Sequence, residues 1–421
     1  MRILYLAGSA FPIRQARGIQ IAHTVAALAE RGHEIALVVG GMSGPDEEEA
    51  FAFYGLPAPP GVRLVRLPAL RLLVPAGSRW NATASRLWTA THLAALRLGL
   101  PLVAAGEPFD VALARSLRVA HLAQTTPVVR SVPLVYEVHF LDSLNAVEVE
   151  GLASPRAQRW KRLERRVLDR ALGVCAIASP ARALLRERYQ LSADKVAVIP
   201  DGTQPSPALS SPPREDDLVI YAGKLEAAKG VDVLIDALGL LPEVRLEIIG
   251  GLAPLGKADR DRERLARRAA EVGLGDRVHF TGPLSYPEVQ RRLRRATAAA
   301  IPLRDTIEGR LFTSPLKAFD YMWSGTPIVA SDLPSLRDVL AHEVNALLVP
   351  PEQPEALAAA LRRLLGDATL RARLAARARD DVRGYTWQAR AARLEAFLQT
   401  RLATEREGAA ARGPLDGSAR A

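Results

Sequence analysis

The feature that most constrains the fold is an alternation of short apolar segments with amphipathic helical segments, which occurs twice along the 421-residue chain. This rhythm is typical of parallel sheets that are covered by helices on both faces. The sequence therefore predicts an α/β protein with two doubly wound, Rossmann-like parallel-sheet domains that face each other across a cleft. The predicted strands are 3–6, 34–39, 111–114, 134–137, 173–177 and 196–199 in the first half, and 218–222, 245–249, 278–281, 298–302, 327–330 and 346–349 in the second.

A segment rich in proline and serine, residues 204–217, separates the two halves and is predicted to be a linker. We accordingly assign residues 1–203 to a first domain and 218–385 to a second, each within the usual size range. Residues 407–421 contain glycine, alanine and arginine without apolar periodicity. This last segment is predicted to be disordered.

The strongest functional signal is a helix that begins near Ser314 and ends near Gly325. Ser314 is a favourable N-cap, Pro315 suits the first helical position, and Gly325 suits the left-handed residue that ends a helix. Unpaired backbone N–H groups and the positive end of the helix dipole then face whatever precedes Leu316, which favours an anionic ligand. An ordinary capped surface helix would show the same residues, so a second signal is needed.

That second signal is the loop 223–230, which follows a predicted strand and carries Lys224 and Lys229 between glycines. Ligands of open parallel sheets bind at the carboxyl ends of the strands, and lysines neutralise a diphosphate as point charges. Gly250 ends the next strand and would permit close approach of the backbone to a ligand. Asp320 lies one turn inside the helix, where a carboxylate accepts hydrogen bonds from a ribose diol. The second domain is therefore predicted to bind a nucleotide.

In the first domain, His139 follows a predicted strand at its carboxyl end, where polar residues are often functional. A satisfied structural histidine fits the same position, and both interpretations stay open. Neither domain begins with the glycine fingerprint of dinucleotide-binding proteins, which disfavours a dehydrogenase. One cysteine, Cys175, excludes a multi-cysteine metal site, and two lysines at the phosphate site make a metal dispensable for neutralising charge.

The formal net charge of +10 calls for an anionic partner or surface. Residues 50–106 contain six arginines and no carboxylate, and Trp80 and Trp88 recur there with apolar residues at helical spacing. The pattern fits an interfacial helix on an anionic membrane or a helix packed on its own domain. Arg97 and Pro101 interrupt the most apolar stretch, so no membrane span is expected. A nucleic-acid binder would leave the phosphate-seeking loop and helix unexplained.

Together these segments resemble the GT-B glycosyltransferases, and specifically the retaining family 4 enzymes that use nucleotide-sugar donors. The resemblance extends over nearly the whole chain, and its longest motif is highly specific. It implies transfer of a sugar from a nucleotide-diphosphate sugar to an acceptor hydroxyl. The residues that carry it are 16–20, 199–203, 223–230, 280–282, 314–332 and 345–351.

The resemblance implies a role for each matching position. His139 would lie near the transferred sugar, and Lys224 and Lys229 would hold the diphosphate, with Lys224 standing where the family usually has arginine. The donor-binding residues implied are Gly18, Gly223, Gly250, Ser314, Pro315, Leu316 and Asp320.

Two departures from the family pattern concern its paired glutamates. The first acid falls on Phe312, so its contact to the sugar is missing or comes from another residue such as Glu308. The second is Asp320, which is one methylene shorter. Residues 386–404 resemble the family's return helix, which crosses back to the first domain.

The resemblance further implies a donor substrate with no bound cofactor and a glycan or lipid-linked acceptor. With the positive charge, it also implies a cytoplasmic enzyme at the inner face of a membrane. A GT-B sugar-nucleotide epimerase is the alternative that shares the fold. The nucleotide base, whether uracil, guanine or adenine, stays open.

Overall fold

The computed structural model describes residues 1–13, 15–41, 44–69, 81–106, 108–205, 214–251, 257–314 and 316–411. It confirms the predicted α/β class, because the described strands form two separate sheets in which every paired strand is parallel. The first sheet has seven strands in the order β3-β2-β1-β4-β5-β6-β7, and the second has six in the order β10-β9-β8-β11-β12-β13. In each sheet the strand order reverses beside the first strand of the domain, which is where such sheets bind ligands.

The central strands of the first domain are short and almost wholly buried, because helices cover both faces of the sheet. Its elements are β1 (Arg2–Leu6), α1 (Ala16–Glu30), β2 (Glu34–Gly40), α2 (Glu47–Ala52), β3 (Val62–Leu67), α3 (Asn81–Ala105), β4 (Val111–Ala114), α4 (Leu117–Thr125), β5 (Leu134–Val138), α5 (Asp142–Glu150), α6 (Pro155–Arg170), β6 (Gly173–Ala176), α7 (Ser179–Tyr189) and β7 (Val196–Val198).

The sequence analysis missed β3. This strand pairs only with β2 and forms an edge of the sheet, so it is buried less completely than the central strands. Arg63 and Arg66 interrupt its apolar residues, and charged side chains are common on edge strands because they discourage pairing with other chains. The strand therefore lacks the continuous apolar run that identified the others.

Helix α3 resolves part of the ambiguity in the arginine-rich segment. His92, Leu96 and Leu100 are buried at intervals of four residues, and the ring of Trp88 stacks on that of His92. One face of the helix therefore packs on its own domain. Trp80 lies outside the described residues, so the expectation for Trp80 stays a prediction.

The expectation that no segment is long and apolar enough to span a membrane was wrong. Helix α3 runs through Pro101 without a break, and its residues Thr83–Ala105 meet the length and composition of a membrane-crossing helix. Two leucines point outward from it, with 76% of Leu98 and 78% of Leu102 exposed. The helix thus combines one packed face with one exposed apolar face.

The second domain repeats the strand–helix alternation around its own sheet, with apolar clusters on both faces. Its elements are β8 (Glu215–Gly223), α8 (Val231–Gly239), β9 (Arg245–Gly250), α9 (Lys257–Glu271), β10 (Val278–Gly282), α10 (Tyr286–Arg295), β11 (Ala296–Ile301), α11 (Ile307–Leu311), α12 (Leu316–Ser324), β12 (Ile328–Ser331), β13 (Leu347–Val349), α13 (Pro354–Gly366) and α14 (Ala368–Val382). Strand β8 begins inside the segment that was assigned to the linker. Glu215 and Asp217 there form salt bridges with Arg245 on β9.

The final helix, α15 (Trp387–Ala411), belongs to the first domain in space. The chain crosses between the domains at Thr203, whose N–H donates to the carbonyl of Tyr385 at 2.8 Å and whose carbonyl accepts from the N–H of Trp387 at 3.1 Å. The Trp387 ring then stacks on that of His23. Residues 407–411, expected to be disordered, continue this helix, and the rest of the expected tail lies outside the described residues.

Candidate active site

The carboxyl edge of the second sheet is shaped by glycines that let two loops approach each other closely. Gly250 has φ +122°, and a Cβ there would come within 2.2 Å of the carbonyl oxygen of Gly223. Gly230 has φ +65°, and a Cβ there would come within 1.8 Å of the carbonyl oxygen of Pro302. Any larger residue at either position would force the backbone apart, so these glycines fix the loop 223–230 against the neighbouring strand ends.

Three lysines lie at this edge. The ammonium group of Lys229 is 3.5 Å from the Glu308 carboxylate and its side chain is 19% exposed. The Lys224 ammonium is 3.8 Å from Glu226 and its side chain is 52% exposed. The third, Lys317, was not assigned a role from sequence; it donates a hydrogen bond to the Tyr221 hydroxyl at 3.0 Å.

Helix α12 begins at Leu316, so its first-turn N–H groups open toward the same edge. Lys317 is its second residue, and the positive charge of the nearby Lys229 helps to lower the pKa of Lys317. The helix ends at Gly325, whose φ of +69° is the left-handed value expected for that position. Pro315 lies outside the described residues.

The Ser314 hydroxyl has a partner in the other domain. Its oxygen accepts a hydrogen bond from the backbone N–H of Asp201 at 3.0 Å. The Asp201 carboxylate in turn lies 3.9 Å from the guanidinium of Arg390. The start of α12 is thereby held against the first domain.

Asp320 is half-buried on α12 and sits opposite the Tyr286 hydroxyl of α10. Burial raises the pKa of Asp320 to about 7, and the nearby Tyr286 hydroxyl only partly offsets this. The carboxyl group is therefore close to half-protonated at neutral pH. A hydroxyl pair that donates hydrogen bonds to it would favour the ionised form.

The first domain contributes a buried charge network centred on Glu137 of β5. One carboxylate oxygen accepts from Gln20 at 2.7 Å and from the His139 ring at 2.5 Å, and the other accepts from Arg390 at 2.7 Å. Burial alone would raise the pKa of Glu137, but Arg390 and His139 outweigh it and hold that pKa well below its usual range. The network thus contains a carboxylate that is ionised at neutral pH.

Arg390 comes from the return helix and makes no exposed contact. Its guanidinium donates to the Thr24 hydroxyl at 3.0 Å and to the carbonyls of Ile199 and Pro200, each at 2.7 Å. Every face of this buried cation is therefore hydrogen-bonded, as a buried charge requires.

Burial and the charge of Arg115 lower the pKa of His139, against the opposing effect of Glu137. Because Nε2 donates to Glu137, Nδ1 is the acceptor of the ring. The Arg115 guanidinium lies 3.3 Å from Nδ1 and also donates to the carbonyl of Arg17 at 3.0 Å. His139 is therefore a neutral, fixed hydrogen-bonding group near pH 7, tied to the segment that precedes Gly18.

Gly18 has a structural reason to be glycine. A Cβ there would come within 2.3 Å of the Tyr54 hydroxyl and 2.6 Å of the carbonyl oxygen of Ile13. The packing of helix α1 against this loop already requires the residue, so its role toward a donor stays a prediction.

The two half-sites meet in one crevice. His139 is followed by Phe140, whose ring lies 5.2 Å from that of Phe312 in the second domain. With the hydrogen bond between Asp201 and Ser314, this contact brings the segment after β5 and the start of α12 together at the boundary between the domains.

Phe312 and Glu308 lie in different surroundings at the position of the family's first acid. The phenyl ring of Phe312 is buried in the apolar cluster of the first domain, so it fastens the domains rather than presenting a polar group. Glu308 instead places a carboxylate beside Lys229, at the edge where the first acid of the motif was expected to act.

Sequence reasoning missed part of the site. Two of the missed residues carried a signal that could have identified them. Glu137 is a lone carboxylate inside an apolar strand, and Lys317 is a lysine in the first turn of a helix. No local pattern distinguished Arg390 from the other arginines of its helix. The residues missed are Gln20, Arg115, Glu137, Lys317 and Arg390.

Among the described residues, no three or more His, Cys, Asp or Glu side chains are grouped so that they could hold a metal ion. Positive charge at the crevice comes from lysine and arginine side chains and from the start of α12.

Two facing parallel-sheet domains with cations along one wall of the crevice define the class of protein as GT-B. Solved structures agree with this. The chain superimposes on sucrose-phosphate synthase from Thermosynechococcus elongatus with a TM-score of 0.74, 21% identity, and coverage of 96% of this chain and 100% of the other. It also superimposes on Anabaena HepE in complex with UDP-glucose, with a TM-score of 0.67, 18% identity and coverage of 95% and 100%.

The family follows from sequence comparison. Residues 18–202 match the glycosyl transferase 4-like domain, and residues 207–381 match the glycosyl transferases group 1 family. A D-inositol 3-phosphate glycosyltransferase of Jonesia denitrificans is 29% identical over 297 residues, which are 65% of this chain and 68% of the relative. The chain belongs to the group 1 GT-B glycosyltransferases, which confirms the predicted GT-B glycosyltransferase class.

Proposed function

We propose that this glycosyltransferase moves a sugar from a nucleoside-diphosphate sugar to an acceptor hydroxyl and keeps the anomeric configuration. The observation that carries the proposal is the convergence of Lys229, Lys317 and the start of α12 at one sheet edge, opposite the His139 network. Cations and helix N–H groups gathered in a crevice fit a diphosphate. HepE, which shares the fold, was crystallised with UDP-glucose, and this supports the choice of donor class.

The second domain would supply electrostatic stabilisation. As the bond between the anomeric carbon and the phosphate oxygen breaks, negative charge grows on the leaving diphosphate, where Lys224, Lys229 and the N–H groups of α12 can stabilise it. Preorganised donors of this kind are typically worth about 3 kcal/mol each in barrier. These ammonium groups provide the positive charge that a metal ion would otherwise bring, so we propose a metal-independent reaction.

The acceptor hydroxyl would attack the anomeric carbon from the face that the diphosphate leaves. A bond forms between the acceptor oxygen and the anomeric carbon, and the acceptor proton passes to an oxygen of the departing phosphate. This route needs no protein carboxylate as a nucleophile. Closing the crevice would keep water from competing with the acceptor.

The first domain would position the sugar. Glu137 accepts the hydrogen bond of His139 and, with Arg390, holds the imidazole in one orientation at the crevice wall. A neutral imidazole in that place would lie near the sugar without carrying charge toward the cationic wall. Asp320 would accept hydrogen bonds from the ribose of the nucleotide.

The acceptor would be a glycan or a lipid-linked molecule, and the enzyme would work at the cytoplasmic face of an anionic membrane. Exposed Leu98 and Leu102 beside the exposed Arg97 support this, because apolar side chains flanked by cations suit such a surface. The epimerase alternative is not favoured, since the relatives are glycosyltransferases. Incubation with donor alone separates the two, because only an epimerase would form an isomeric nucleotide sugar.

A thermal-shift screen with UDP-, GDP- and ADP-sugars tests the proposal. The correct donor binds the folded state and raises the melting temperature by mass action, by an amount that grows with its concentration. Failure of every nucleotide sugar to raise it at millimolar concentration would overturn the proposed donor class.

A further inference from the structure

Lys317 is a cation at the crevice that destabilises the folded chain by its position. It is the second residue of α12, where the helix dipole is positive and a positive side chain is destabilising. Lys229 and Lys224 each have a carboxylate within ion-pair distance, whereas among the described residues none lies so close to Lys317. A cation kept at the electropositive end of a helix, beside another lysine, calls for an anion that arrives from outside.

The position of the Lys317 ammonium group is well defined. It donates to the Tyr221 hydroxyl at 3.0 Å and lies 4.3 Å from the centre of the Tyr221 ring. The Tyr221 hydroxyl donates in turn to the carbonyl of Lys224 at 2.6 Å. A Cβ on Gly223 would come within 3.0 Å of the ammonium nitrogen, so the group rests against the end of β8.

We propose that Lys317 is a third diphosphate-binding side chain, which directly contacts the donor phosphates. This inference rests on the proposed function, because it names a further residue of the same donor site. The phosphates would lie between the start of α12 and the loop 223–230, where Tyr221 already holds the ammonium group in place.

Its surroundings explain why a proton is involved. Burial and the charge of Lys229 lower the pKa of Lys317 to about 7. The other titratable groups on the elements around it are Tyr221, Lys224 and Glu226 on the side of β8, and Asp320 and Tyr321 on its own helix. Near pH 8 the free amine is mostly neutral, and an arriving diphosphate favours its charged form, so one proton would be taken from solvent.

The experiment is calorimetric titration with whichever of UDP-glucose, GDP-mannose and ADP-glucose binds the wild type most tightly. Titration at pH 8 in buffers of different ionisation enthalpy gives the number of protons taken up. We expect the wild type to take up about one proton more than Lys317→Met. Comparing the two variants removes the contribution of Asp320, which is present in both.

The affinity for the nucleotide sugar should depend on pH because of this proton uptake. Between pH 6 and pH 8, the affinity of the wild type should fall about tenfold more than the affinity of Lys317→Met does. Lys317→Met should therefore bind most weakly, relative to wild type, at pH 6. Lys317→Arg should restore binding and abolish this extra pH dependence. Lys161→Met, on the exposed face of α6, is the matched control and should behave as wild type.

The outcomes separate the two proposals. If no nucleotide sugar binds the wild type, the proposed donor class fails and the inference fails with it. If the wild type binds but Lys317→Met matches it in affinity and in proton uptake, only the inference is overturned. A melting temperature of Lys317→Met well below that of wild type, with unchanged binding, would assign Lys317 a structural role instead.

Discussion

The two walls of the crevice differ in how their charges are balanced. In the first domain, Glu137 and Arg390 neutralise each other in the interior, and neighbouring polar groups satisfy nearly every remaining hydrogen bond. In the second domain, Lys317 lies at a helix start and near enough to Lys229 to feel its charge, so that the positive charges are not balanced. One wall is electrostatically complete without substrate and fixes geometry, while the other is completed by an anion. Mutations should therefore affect stability on the first wall and ligand binding on the second.

The largest effect is expected from Arg390→Met. The substitution leaves the buried Glu137 carboxylate and two carbonyls without their donor, and breaking a buried ion pair in this way costs about 3–5 kcal/mol. Denaturant unfolding should show that loss, whereas Arg393→Met, on the exposed face of the same helix, should stay near wild type. A change below about 1 kcal/mol for Arg390→Met would mean that the network does not hold the wall together.

On the second wall, Lys229→Ala should act on catalysis instead. Loss of a donor to the leaving phosphate should lower kcat/KM about 100-fold, while the free energy of unfolding changes by less than about 0.5 kcal/mol. Lys224→Ala is the comparison within the same loop. Because its side chain is 52% exposed, we expect a loss below about tenfold. Steady-state kinetics that ranked the two lysines in the opposite order would contradict this arrangement.

The outer face of α3 provides a smaller effect, on membrane binding. Replacing Leu98 and Leu102 with serine removes exposed apolar area beside Arg97 and should weaken binding to anionic liposomes about tenfold in flotation assays. Leu240→Ser, an exposed leucine of the second domain, is the control. Equal flotation of the double variant and wild type, or equal flotation on neutral and anionic liposomes, would remove the membrane from the proposal.

The smallest effect is a pH dependence of the ligand-free protein. The raised pKa of Asp320 means that the folded state holds more protons than the unfolded state between about pH 4 and 7, so stability falls over that range. The lowered pKa of Lys317 makes the unfolded state hold more protons between about pH 7 and 10, so stability rises again.

These two groups should together produce a minimum in stability near pH 7. Glu137 acts oppositely: its stabilisation is full above about pH 4.3, the ordinary value, and is lost as the pH falls below it. The test is to measure the free energy of unfolding from pH 4 to 10 for the wild type and for the double variant Asp320→Asn, Lys317→Met. The minimum should be absent from the double variant. A minimum that persists in the double variant would contradict this assignment.

The difference between the walls also explains what could be predicted from sequence. Lys224, Lys229 and the helix before Gly325 lie within local motifs whose conformation is set by neighbouring residues, so these parts of the second wall were predictable. The pair of Glu137 and Arg390 joins positions 253 residues apart, and no local pattern identifies the partner of a buried carboxylate. Phe312 could be aligned with a family motif, but its contact with Phe140 depends on how the domains close.

The central claim is that the second wall grips a diphosphate, and titration of UDP against uridine tests it most directly. The two ligands share base and ribose and differ only in the phosphates. We predict that the wild type binds UDP at least 100-fold more tightly than uridine, and that Lys229→Ala loses most of this difference. Equal affinities for UDP and uridine, or a difference that Lys229→Ala leaves intact, would contradict the account.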